Sequence, residues 1–160
     1  MGRISPLVIA VLVLVACGAE GGSSVTGVHP PPSAVPPSSW MVHINQEGRF
    51  AVHHPPDWGV RQRRGQELVV SLVPPGERRG IDIRLTRQTQ PVDLPNTVCQ
   101  KVLVSQLPAV RCQDTIGRTL VTTLPNTSHG TFVFEVAVGS AAYRDYDQVL
   151  ATFQLLRGMS

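Results

Sequence analysis

Three cysteines, five histidines and a run of arginines are the residues of this 160-residue chain whose types and spacing suggest chemistry. An exported chain with an odd number of cysteines has one thiol to account for. Cys99 and Cys112 stand 13 positions apart and are symmetric about Ser105 and Gln106, where a turn into Leu107-Pro108 is expected. That places the two thiols as cross-strand neighbours in a hairpin, within disulfide reach if the register holds. Closing so short a loop contributes about 3 kcal/mol. A redox-active or metal-binding pair is the alternative, but there is no Cys-x-x-Cys and no histidine beside either thiol. A structural disulfide is the favoured reading.

The histidines are His29, His43, His53, His54 and His129. His53 and His54 are adjacent on an expected strand, so they point to opposite faces and do not readily share a metal. Asp57 and His43 could join one of them, but the spacing is not that of a ligand set, and no metal or other cofactor is expected. Arginine is more concentrated. Arg61, Arg63, Arg64, Arg78, Arg79, Arg84 and Arg87 face only Glu67, Glu77 and Asp82 in the same stretch, a local net charge of +4. Arg61, Arg63, Arg64, Arg78 and Arg79 are a candidate docking patch for an anionic ligand, such as lipid headgroups or an acidic polymer, because arginine offers a planar fork of donors. The plainer reading is a solvated hairpin in a chain with 13 Arg and one Lys. No Gly-x-Ser-x-Gly, phosphate-binding glycine loop or paired metal motif occurs, so no catalytic residue is nominated. With aromatics at 5%, nucleic-acid binding is not expected.

These groups need elements to position them. Residues 1–16 combine Arg3 with an apolar run of 11 residues, Pro6 to Ala16. That run is short of the roughly 20 residues needed to span a bilayer but has the length of a signal-peptide core. It ends Leu14-Val15-Ala16-Cys17, which resembles the bacterial lipobox. The resemblance implies cleavage before Cys17, acylation of the Cys17 thiol and anchoring in membrane lipid at the bacterial cell membrane or outer membrane. Two or more acyl chains make a stable anchor where one is marginal. Residues 18–39 contain 14 Gly, Ser or Pro out of 22 and read as a tether with a coil reach of about 25 Å. The rest, 40–160, is long enough for one domain.

From Trp40 the apolar residues alternate in the manner of strands. Trp40–Ile44 and Arg49–His53 flank a short turn; Glu67–Val73, Ile81–Leu85, Val102–Ser105, Ala109–Gln113, Arg118–Leu124 and Thr131–Gly139 follow. Ser140 is placed to cap a helix over Ala141–Ala151, on which Tyr143, Tyr146, Leu150 and Phe153 fall on one side. Hairpins followed by one late helix predict an α+β fold, an antiparallel β-sheet with a C-terminal helix packed on it.

Gly48-Arg-Phe-Ala-Val-His-His-Pro-Pro-Asp-Trp58, the middle Leu107-Pro-Ala-Val-Arg111 and the ending Tyr146…Val149-Leu150-Ala-Thr-Phe153 resemble the PsbP-like family. The likeness implies an α/β/α sandwich and a binding or assembly role for the domain, with no catalytic residue carried over. The expectation is a membrane-anchored lipoprotein whose exported domain is a non-catalytic module in the cell envelope, facing an envelope protein or an anionic ligand. A small-ligand binder, or a hydrolytic enzyme with a non-local site, is the alternative.

Overall fold

The computed structural model describes residues 36–87 and 97–156. The signal segment, Cys17, most of the tether, His29 and residues 90–96 lie outside the described residues. So does the stretch where the second helical layer of the expected sandwich would fall. The described residues build an α+β fold of ten strands and one helix, every strand pair antiparallel.

The chain opens with a hairpin, β1 (Met41–Asn45) and β2 (Phe50–His54), in register from Met41↔His54 to Asn45↔Phe50. Its turn is held by the Asn45 side chain, whose Oδ1 accepts the Gly48 amide at 2.6 Å. Gly48 is required there by space, since a Cβ would lie 2.8 Å from the Phe50 ring and 2.9 Å from Leu68. Strand β10 (Gln154–Leu155) adds to β2, so the small sheet runs β1-β2-β10.

Seven further strands form the main sheet: β3 (Gly59–Arg64), β4 (Leu68–Val73), β5 (Ile81–Thr86), β6 (Thr97–Val104), β7 (Leu107–Asp114), β8 (Thr119–Thr127) and β9 (Gly130–Ala137), in spatial order β3-β4-β5-β9-β8-β7-β6. Alternation along each strand sends one set of side chains to the core. Val70, Leu72, Ile81, Ile83, Leu120, Leu124, Phe132, Phe134 and Val136 are all buried on that face. The helix α1 (Ala141–Ala151) covers it, burying Ala142, Tyr146, Val149 and Leu150, which recur at helical spacing. Tyr143, expected on this stripe, sits at its margin and is 37% exposed. Ser140 begins the helix without a capping bond, because its hydroxyl donates to the Ala137 carbonyl at 2.7 Å.

All four phenylalanines of the chain meet under the small sheet. Phe153 lies 5.0 Å from Phe132, 5.0 Å from Phe134 and 5.5 Å from Phe50, ring centre to ring centre. Aromatic pairs in such edge-to-face and offset arrangements add to the burial that anchors β2 and the helix exit to β9. The helix end is also tied by Thr152, whose buried hydroxyl donates to the Val149 carbonyl and accepts the His53 amide at 2.9 Å. On the other face of the main sheet Ser71, Cys112, Val121, Thr123 and Val133 are also buried, and among the described residues no helix is long and apolar enough to cross a membrane.

Candidate binding face

The second face of the main sheet follows from the register. Arg61 pairs with Ser71, Ser71 with Asp82, Asp82 with Glu135, Glu135 with Val121, Val121 with Cys112 and Cys112 with Cys99. These residues make one row across all seven strands, about 29 Å from end to end at the usual strand spacing. The neighbouring row is Arg63, Val69, Arg84, Val133, Thr123, Val110 and Lys101. The half carried by β3, β4, β5 and β9 is charged, and the half carried by β8, β7 and β6 is largely small and apolar.

The charged half is internally organised. Ser71 Oγ donates to Asp82 at 2.5 Å, Arg63 stands 3.9 Å from the same carboxylate, and Arg84 pairs with Glu135. Pairs as exposed as these contribute little to stability, typically below about 1 kcal/mol. Their effect is to fix where the charges stand. Arg61, at the outer end of the row, makes no ion pair among the described residues and is exposed.

The five arginines of the candidate patch therefore occupy three places. Arg61 and Arg63 lie on the second face. Arg64, one residue on, points to the helix-covered side, where it pairs with Glu47 at 2.8 Å. That side also carries Gln62, which accepts from Asn45 and donates to Glu47, both at 3.0 Å. Arg78 and Arg79 are exposed in the loop joining β4 to β5, beyond the Gly59 end of β3. The loop closes with the Glu77 amide on the Pro74 carbonyl and enters β5 through Gly80, whose Cβ would sit 1.8 Å from the Leu72 carbonyl oxygen. Alternation within a strand separates Arg63 from Arg64, and hairpin length separates Arg78 and Arg79 from both.

At the far end of the row Cys99 and Cys112 are joined in a disulfide, with Cα atoms 4.1 Å apart. The β6–β7 turn is Ser105-Gln106, with φ of 48° and 70°. Two successive left-handed residues are the signature of the two-residue type I′ turn, which sets the pairing that brings the sulfurs together. His43 and His54 share the inward face of the β1–β2 hairpin, but the described histidines do not form a ligand set. His54 Nδ1 lies 2.8 Å from the Pro55 carbonyl oxygen, His43 packs edge-on to Phe50, and no group of three potential metal ligands occurs among the described residues.

A polar group not evident in the sequence lies on the helix-covered side. Arg111 of β7 donates through Nε to Thr122 Oγ1 at 3.2 Å, pairs with Asp147 of α1, and sets its guanidinium 5.6 Å from the Tyr146 ring centre. The Tyr146 hydroxyl donates to the Phe134 carbonyl at 3.0 Å, and burial pushes its pKa well above the ordinary value. With every partner engaged, this cluster fastens α1 to the sheet.

No protein-family model and no curated protein sequence matches the chain. Among solved structures, it is similar to a crystal structure of a protein from Bacteroides thetaiotaomicron VPI-5482, with a TM-score of 0.47 and 14% identity over 74% of this chain. The match covers 49% of that protein, so the chain spans about half its length.

Proposed function

We propose that the chain is a membrane-anchored bacterial lipoprotein, cleaved after Ala16 and acylated at Cys17, whose PsbP-like domain acts as a non-catalytic binding or assembly module in the cell envelope. Residues 18–39 are its tether, and the domain faces the periplasm or the exterior. The reading is supported above all by the second face of the main sheet, where Arg61 and Arg63 are exposed and Asp82, Arg84 and Glu135 are half-buried, all at fixed register positions. A face of ordered charge suits recognition by complementary charge, which favours encounter and specificity. The Cys99–Cys112 disulfide is consistent with an oxidising compartment outside the cytoplasm. The partner is an envelope protein or anionic polymer that meets Arg61 and Arg63.

A photo-crosslinking side chain at position 61 of the full chain in cells is expected to give a discrete adduct, lost in Arg63→Glu. The same side chain at Thr115, in the β7–β8 turn, provides the control. Equal labelling from positions 61 and 115 would count against a binding face.

A further inference from the structure

We infer that the outer face of β1 is a second, lipid-facing surface that seats the domain on the bilayer to which its tether leads. The inference rests on the tethered reading above. Three large apolar side chains are exposed within four residues: Met41 at 53%, Val42 at 50% and Ile44 at 53%. Val42 and Ile44 lie on the same face of β1, opposite the face that sends His43 and Asn45 inward, and they pair with His53 and Ala51. No carboxylate or ammonium stands on this face of the hairpin. β1 is also the edge of the small sheet, with no further strand paired to it among the described residues.

Three observations favour a bilayer as the occupant. First, position in the chain: β1 begins one residue after Trp40, at the end of the Gly/Ser/Pro segment, only 24 positions from Cys17. A tether with a coil reach of about 25 Å keeps β1 within headgroup distance of the anchor, so even a weak surface affinity is converted into contact by the high effective concentration. Second, the charge at the hairpin end has the appropriate sign. Glu47 is engaged by Arg64 and Gln62, whereas Arg49 is exposed and makes no ion pair among the described residues, which leaves a cation for anionic headgroups. Third, the other exposed apolar side chains do not form such a strip. Val98 and Leu103 point to opposite faces of β6, Ile116 stands in a turn, and Val60 of β3 and Tyr143 of α1, each 37% exposed, lie on separate elements. Seated through β1, the domain combines apolar insertion with basic contact, the pairing that interfacial segments use.

Trp40, packed against the core beside Met41, is a built-in reporter, while Trp58 is buried. The chain from Cys17 onward is coupled through the Cys17 thiol to a maleimide-bearing lipid in phosphatidylethanolamine/phosphatidylglycerol vesicles containing brominated phosphatidylcholine. The anchor is thereby supplied chemically, whether or not cells acylate Cys17, and acyl labelling in cells tests the tethered reading separately. The expected result is quenching of Trp40 emission, lost in Val42→Ser/Ile44→Ser and retained in the control Val98→Ser. Absence of quenching in the unsubstituted chain would overturn the inference. So would quenching that survives the double substitution, or β1 strands paired between two copies and shielded from lipid.

Discussion

Arg111 of β7 and Asp147 of α1 form an ion pair that ties the helix to the sheet, with the guanidinium also bonded to Thr122 and lying against the Tyr146 ring. The two partners are unequally buried, at 17% and 54% exposure of their side chains. The exposed carboxylate is well solvated when the pair breaks, whereas loss of the guanidinium leaves Thr122 short of a donor and uncovers the tyrosine. Asp147→Asn is therefore expected to cost less than about 1 kcal/mol. Arg111→Ala should cost about 2 kcal/mol, because packing and a hydrogen bond are lost along with the charge. Urea denaturation of both variants measures the difference; equal costs would show that the ion pair alone carries the contact.

The Cys99–Cys112 link closes the β6–β7 hairpin at its open end, while the Ser105-Gln106 turn closes the other. Its constraint falls on the unfolded chain. Cys99→Ser/Cys112→Ser is expected to lower stability by about 3 kcal/mol on the chain-entropy estimate for so short a loop. Denaturation with and without reductant should reproduce the same loss in the unsubstituted chain. A chain equally stable after complete reduction would contradict this.

His43 is half-buried beside Phe50, with its Nε2 atom shielded and unpartnered, and burial, followed by the charge of His54, lowers its pKa from the ordinary value of 6.5. Below about pH 6.5 the unfolded chain takes up a proton there that the folded chain resists. Stability is thus expected to fall as pH drops through that value and to level off once the folded imidazole is itself protonated. The denaturation midpoint should be lower at pH 5 than at pH 7.5, and His43→Phe should reduce the difference. An unchanged pH dependence in that variant would assign the effect to other groups.

Elements with one buried face were legible in the sequence. Ile81, Ile83 and Leu85 alternate with Asp82, Arg84 and Thr86, and the helix has the expected bounds because Ala142, Tyr146, Val149 and Leu150 keep helical spacing. β3 was not legible as a strand. It lies at the sheet edge with all six residues exposed, so burial imposes no period-two pattern on its composition. The arginine run looked like one patch because its members are near in sequence, but alternation turned Arg64 away from Arg61 and Arg63. The row from Arg61 to Cys99 and the Arg111–Asp147 pair both depend on inter-strand register and helix placement, which no local motif records. Cys99 and Cys112 are the exception, since their symmetry about a two-residue turn carries the register within the sequence.

Membrane tethering through Cys17 is most directly tested by metabolic labelling with an alkyne fatty acid, combined with membrane fractionation of the full chain. The expected result is acyl label and membrane association in the unsubstituted chain, with Cys17→Ala unlabelled and released from the membrane. A Cys17→Ala chain that stays membrane-bound, or an unsubstituted chain without label, would contradict the lipoprotein reading.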